Sequence, residues 1–273
     1  MKKSSPFHLA AIQMCSGDKP AQNLDHAAAL IAQAAQQGAR LVALPEYFAL
    51  ISPDEKAKLA LAEAPGQGNI QRFLSECAQT HKIWLVAGSL ALKSDQPEKI
   101  FNSLMVYNPS GQNVLRYDKI HLFSFQRGEE SYGEAKTILP GTRTANFELE
   151  GWRVGVGICY DLRFPEQFRA MGEIDLLILP AAFTHTTGQA HWEILLRARA
   201  IENQCYVLAP AQGGIHPGGR QTYGHSLLID PWGKVLACRA DTGEGLILGA
   251  LDAHYLKEIR TQLPALQHRR FMS

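Results

Sequence analysis

Residues 154–166 read VGVGICYDLRFPE. An apolar run spaced by Gly155 and Gly157 stops at Cys159. Tyr160-Asp161-Leu162-Arg163 follows, then Phe164-Pro165-Glu166. Glycines inside an apolar strand allow other backbone to pack closely against it. Pro165 suits the first turn of a helix, and Glu166 suits the positive end of that helix. The stretch therefore reads as a strand, a sharp turn that presents a thiol, and a helix start. Asp161 and Arg163 either brace the turn, or Arg163 is left to bind a substrate carboxylate.

The same alternation extends in both directions. Residues 7–14 form a strand. Residues 20–37 place Leu24, Ala28, Ile31 and Ala35 at helical spacing, with Pro20 in the first turn and Gly38 at the end. A short apolar strand at 41–44 runs into Pro45-Glu46. Residues 69–81 align Ile70, Phe73, Leu74, Cys77 and Ala78 on one helix face. Residues 83–92 read as one strand. Residues 104–107 and 114–117 flank Pro109-Ser110-Gly111, and 226–229 and 235–238 flank Pro231-Trp232-Gly233, so both pairs predict hairpins. Strands at 153–158 and 176–179 enclose a helix from about Pro165. A helix at 191–203, strands at 207–211 and 246–251, and a helix at 254–263 complete the chain. Helices alternating with strands give an α/β layered fold, with a mixed sheet or two sheets. No linker, repeat or low-complexity segment divides the 273 residues, so 1–273 reads as one domain.

Composition narrows the function. Apolar residues make up 46% and charged residues 19%, as in an ordinary globular protein. A formal net charge of +1 leaves no basic footprint for nucleic acid. No apolar run is long enough to span a membrane, and nothing behind Lys2 and Lys3 resembles a signal peptide, so a cytoplasmic protein is expected. The cysteines are Cys15, Cys77, Cys159, Cys205 and Cys238, an odd number without a C-x-x-C pair. Four of them read as small buried apolar residues. His121, His185, His191, His216 and His225 fit no standard metal spacing, and H-E-x-x-H is absent. No metal and no cofactor are expected.

Reactive side chains in α/β folds gather at the C-terminal ends of strands. Here "LVALPEYF" delivers Glu46, "VLRYDKIHLF" delivers Lys119, and the opening stretch delivers Cys159. A carboxylate takes the thiol's proton, the thiolate attacks, and an ammonium stabilises an oxyanion. Lys119 would also favour thiolate. Taken singly, Glu46 is a helix-start acid, Lys119 a solvated lysine and Cys159 a buried filler; their contexts argue otherwise.

These motifs resemble the nitrilase superfamily of carbon–nitrogen hydrolases, in the same order and local contexts. The resemblance runs from "AAIQM" to "QHRR". It implies a four-layer α-β-β-α sandwich and a Glu-Lys-Cys triad at Glu46, Lys119 and Cys159. A second glutamate before Pro-Gly falls on Glu134 in "GEAKTILPG", with Glu129 and Glu130 as neighbours. The backbone N–H of Tyr160 would share the oxyanion with Lys119. "FTHTTGQAHWEILLRARAIENQCYV", "YGHSLLIDPWGKVLA" and "CYDLRFPE" are most similar to the deaminated glutathione amidase branch, with ω-amidases as near relatives. Both cleave the amide of a 2-oxoglutaramate unit, so the partner is a small-molecule amide substrate. Arg163 is the expected carboxylate partner, with Phe183, Thr184 and Thr187 lining the pocket. The loop "FSFQRGEESYGEAK" departs from the branch pattern and borders the site. Family members commonly dimerise through the helix after the cysteine and the helix at 191–203, and "HWEILLRARAIEN" carries apolar residues on more than one face. Nitrile or carbamoyl-amino-acid hydrolysis uses the same triad. Rival readings are a Cys-His hydrolase using His185 or His225, and a thiol sensor or binding protein without turnover.

Overall fold

A strand that is apolar at every position must be covered on both faces. Phe7–Gln13 holds such a run at 9–12: Leu9 and Ala11 join one buried cluster, and Ala10 and Ile12 join another. The computed structural model describes residues 5–54, 56–128 and 130–271. Residues 1–4, part of the stretch read above for a signal peptide, and Glu129 lie outside them.

Among the described residues the strands form two large sheets of seven and six strands. In the first, Phe7–Gln13, Leu41–Ala43 and Trp84–Val86 run parallel. Gly245–Leu251 joins antiparallel on one side, and the hairpin of Ile100–Tyr107 and Asn113–Asp118 on the other. In the second, Trp152–Val156, Leu176–Ile178 and Tyr206–Ala209 run parallel. Ala145–Leu149 flanks them antiparallel, as do Ser226–Ile229 and Val235–Arg239.

Helices Pro20–Gln36 and Asn69–His81 cover the outer face of the first sheet, where Ile31, Ala34, Leu74 and Ala78 pack on Ala10, Ile12, Val42 and Leu85. The inner faces meet through Leu9, Ala11, Val86, Val106, Val154, Leu208 and Leu228. Phe168 of Pro165–Ala170, and Trp192 and Leu196 of His185–Asn203, extend this cluster on the far side. The result is the expected α-β-β-α sandwich. Burying a leucine or isoleucine contributes roughly 1.5–3 kcal/mol. That burial, more than ladder bonding, holds parallel strands of only three residues such as Leu41–Ala43 and Leu176–Ile178.

The boundaries differ from expectation in places with clear causes. The strand at 83–92 is broken into Trp84–Val86 and Leu90–Lys93. Both pieces pair with Ile100–Tyr107, in registers that differ by one residue, so the break is a bulge. At its centre Gly88 adopts φ 55°, and a Cβ there would lie 2.0 Å from the Pro45 carbonyl oxygen. The bulge lets the chain close over the turn that carries Glu46. The helix expected at 191–203 begins at His185, because Thr184 caps it: the Thr184 hydroxyl accepts the Thr187 N–H at 3.3 Å. The loop after Lys119 contains a hairpin, Ser124–Arg127 with Glu130–Gly133.

Candidate active site

The parallel strands of both sheets deliver their C-terminal ends to one pocket. Glu46, Phe123, Glu134, Cys159, Tyr160, Arg163, Ala182, Phe183, Thr184, Thr187 and Arg220 line it. The first sheet supplies Glu46 just past Leu41–Ala43 and Lys119 just past Asn113–Asp118. The second supplies Cys159 beyond Trp152–Val156 and Ala182 beyond Leu176–Ile178.

Cys159 opens a short 3-10 turn, Cys159–Arg163, with φ 49°. Left-handed backbone on a residue with a Cβ costs of order 1–3 kcal/mol and persists only where neighbours enforce it. Two anchors do so. The Cys159 N–H donates to the Pro180 carbonyl at 2.9 Å. The buried Asp161 carboxylate accepts the Ile158 N–H at 2.8 Å and the Tyr117 hydroxyl at 2.6 Å on one oxygen. Its other oxygen accepts the His121 N–H at 3.0 Å and lies 2.8 Å from His121 Nδ1. Tyr117 and His121 flank Lys119 in sequence, so one carboxylate ties the cysteine turn to the lysine segment. Asp161 is thus the brace, and Arg163 faces the pocket. The Tyr160 N–H stands at the start of the turn, where no helical acceptor precedes it.

Glu46 is fixed by three donors. Oε1 accepts Asn102 Nδ2 at 3.0 Å and Lys119 Nζ at 2.9 Å, and Oε2 accepts the Ala182 N–H at 2.9 Å. The Cys159 thiol lines the same pocket as this carboxylate and feels its charge. Lys119, with no exposed surface, also reaches Glu134 Oε2 at 2.9 Å. Glu134 in turn accepts the Tyr47 hydroxyl at 2.8 Å and the Phe123 N–H at 2.7 Å. Its neighbour Glu130 instead accepts the Thr186 hydroxyl at 3.0 Å.

The charges follow from this packing. Burial opposes the Lys119 ammonium, but the Glu134 and Glu46 carboxylates outweigh it and hold the amine above the ordinary lysine range. Burial likewise works against the Glu134 carboxylate, yet Lys119 and the Phe123 N–H hold it below its usual range. Cys159 goes the other way. Burial pushes its thiol well above the usual value, Glu46 adds to the rise, and Lys119 offsets only part. Lys119 therefore does not produce a resting thiolate, contrary to the sequence expectation. Its charge is already matched by two carboxylates. The resting thiol keeps its proton, with the Glu46 carboxylate in the same pocket as a group able to take it.

The remaining expected residues fall as follows. Arg163, Phe183, Thr184 and Thr187 all line the pocket. The Thr184 and Thr187 hydroxyls bond to each other at 2.9 Å, so their polar groups serve the helix cap. The histidines proposed for a Cys-His pair lie elsewhere. His225 stacks on Tyr223 at 3.9 Å, and His185 meets the edge of that same ring at 6.0 Å. Asn102, Tyr47, Phe123 and Arg220 were not anticipated. Asn102 had a signal: it and Ser103 interrupt an apolar strand, and a buried polar side chain needs a partner.

A four-layer sandwich in which a thiol, a carboxylate and a buried ammonium meet beside the joined sheets is the arrangement of hydrolases that attack non-peptide carbon–nitrogen bonds. The family model "Carbon-nitrogen hydrolase" matches residues 8–261, and the chain belongs to this family. It is 41% identical to the deaminated glutathione amidase of Synechocystis sp., over 98% of this chain and 99% of that one. It is 38% identical to mouse omega-amidase NIT2, over 97% of this chain and 96% of the relative. Among solved structures, Saccharomyces cerevisiae Nit3, described as a member of branch 10 of the nitrilase superfamily, superposes with a TM-score of 0.85 at 30% identity, over 97% of both chains.

The raised thiol makes a spectroscopic prediction. Because the neutral form is the favoured one, thiolate appears only as pH rises past the ordinary thiol value of 9.0. The ultraviolet thiolate absorbance of the wild type minus that of Cys159→Ser should be flat through neutral pH and rise only in the alkaline range. A thiolate signal already present at neutral pH would contradict the charge assignment.

Proposed function

We propose that the chain hydrolyses the amide of a small carboxylated substrate through a thioester on Cys159, with deaminated glutathione as the preferred substrate. Glu46 takes the thiol proton as sulfur bonds to the carbonyl carbon. Lys119 and the Tyr160 N–H stabilise the oxyanion. Protonated Glu46 returns its proton to the leaving amine as the C–N bond breaks. Water then attacks the thioester, Glu46 accepts its proton, and the thiol leaves with that proton restored. Glu134 holds Lys119 in place. Arg163 binds the acyl carboxylate, with Phe183, Thr184 and Thr187 shaping the wall. One catalytic domain suffices.

The observation that carries this reading is the Glu46 carboxylate, which accepts Lys119 Nζ at 2.9 Å and faces the same pocket as Cys159. The relatives named deaminated glutathione amidase and omega-amidase support this substrate class. An ω-amidase acting on 2-oxoglutaramate is the second reading, favoured by the same arginine.

We also propose a homodimer. Ile194 and Ile201, two helical turns apart on one face of His185–Asn203, are 67% and 50% exposed. Trp232, 57% exposed, lies on the hairpin tip that Arg197 Nε holds to this helix through the Gly233 carbonyl, at 2.8 Å. Such a patch marks an interaction surface. None of the described helices is long and apolar enough to cross a membrane. All five cysteines are free, which suits a reducing cytoplasm.

Two measurements test these statements. Release of 2-oxoglutarate from deaminated glutathione and from 2-oxoglutaramate should favour the first. Cys159→Ala should be inactive, Glu46→Gln slower by about 10²–10⁴-fold, and Lys119→Ala by about 10²–10³-fold. Substantial activity in Cys159→Ala, or a near-normal Lys119→Ala, would refute the mechanism. Sedimentation of the wild type should give a dimer and Trp232→Glu a monomer; a wild-type monomer would rule the dimer out.

A further inference from the structure

Arg220 enters neither the triad nor the expected binding set, yet it lines the pocket. Its backbone is held rigidly. The Arg220 carbonyl accepts the His216 N–H at 2.8 Å. The buried His216 ring bridges two further groups, with Nδ1 2.8 Å from the Ser16 carbonyl and Nε2 2.7 Å from the Thr222 hydroxyl. The guanidinium itself is poorly satisfied. One nitrogen donates to the Ala182 carbonyl at 3.2 Å, and its centre lies 5.3 Å from the Tyr132 ring. Nε is buried without an acceptor among the described residues. A buried donor left unpaired is costly, and a planar guanidinium matches a carboxylate through paired bonds.

Two arginines from different segments therefore line the pocket. Arg163 lies over Phe183 at 5.4 Å and beside His191 at 3.2 Å. Arg220 sits on the Glu46 side, where Ala182 gives its N–H to Glu46 and its carbonyl to Arg220. Arg220 also opens onto a second recess, lined by Tyr47, Leu50, Ile51 and Ser52, with Asp54 and Lys58 at its wall. The last two offset each other in formal charge, which leaves Arg220 as the net charge of the recess.

We propose that Arg220 is the specificity residue for the amine half of the substrate, binding a carboxylate carried by the leaving amine in this recess, while Arg163 holds the acyl half. The proposal rests on the reading above that the chain hydrolyses a carboxylated amide. It separates the two candidate substrates chemically. The leaving group of 2-oxoglutaramate is ammonia, which offers Arg220 nothing. The leaving group of deaminated glutathione is cysteinylglycine, which ends in a carboxylate.

The test compares kcat/KM for deaminated glutathione, its C-terminal glycinamide and 2-oxoglutaramate, in the wild type, Arg220→Met and Arg220→Lys. The wild type should prefer the acid to its amide by about 10- to 100-fold, the worth of a charged hydrogen bond. Arg220→Met should bring that ratio close to one, and Arg220→Lys should retain part of it, since lysine keeps the charge without the planar fork. The ratio is taken within each variant, so it does not depend on the fraction of folded enzyme. A wild-type ratio near one, or a ratio that survives in Arg220→Met, overturns the assignment. Turnover of 2-oxoglutaramate alone overturns it while leaving the amidase reading standing. Turnover of none of the three overturns both.

Discussion

A lysine ammonium with no exposed surface, clamped between two carboxylates, is the constraint on which the rest of this molecule depends. Removing charge from water costs several kcal/mol per ion even after relaxation, and only close partners with satisfied hydrogen bonds offset it. Each neighbour of Lys119 meets part of that requirement. Asn102 and the Ala182 N–H complete Glu46, and Tyr47 and the Phe123 N–H complete Glu134. Those donors come from both sheets and from the segment leading into the 124–133 hairpin. The sandwich must close for the network to exist, and loss of any member leaves a buried charge uncompensated.

The same network decides the resting state of the nucleophile. Two carboxylates and one ammonium leave the buried cluster negative before the thiol ionises. A thiolate would add a second negative charge beside Glu46. The thiol therefore keeps its proton at rest. Asp161 makes this geometry reproducible. It enforces the left-handed turn at Cys159 and ties it to Tyr117 and His121 on either side of Lys119. The turn at Cys159 and the segment around Lys119 are thus positioned by one set of hydrogen bonds.

Much of this was legible in the sequence, and the remainder was hidden for physical reasons. Helix Asn69–His81 has the expected bounds and buries Ile70, Leu74, Cys77 and Ala78, with Phe73 half-buried, because one face packs on the sheet and the other meets water; the unexpected buried Gln71 is satisfied by Glu63 and by the Ala64 and Gln67 carbonyls. That Glu46, Lys119 and Cys159 would come together was legible through motif context. Their strand ends set the chemistry locally, although the residues meet only in the fold. The partners of those residues were not legible. Asn102 lies 56 residues from Glu46, and Tyr47 lies 87 from Glu134. Arg220 looks like a surface arginine beside two glycines until His216 is seen to fix its backbone. The early start of helix His185–Asn203 was readable from the capping threonine Thr184, which outweighs the polar residues after it. The bulge at Gly88 had only the glycine itself as a signal, and its reason is the carbonyl of Pro45 across the sheet.

The central claim is that Cys159 carries the acyl group during turnover. Acid-quenching the wild-type enzyme while it consumes deaminated glutathione, followed by peptide mass analysis, tests it most directly. The account predicts one 2-oxoglutaryl adduct, on the peptide containing Cys159, absent from Cys159→Ser. An enzyme that turns over rapidly with its acyl group on another residue would contradict it.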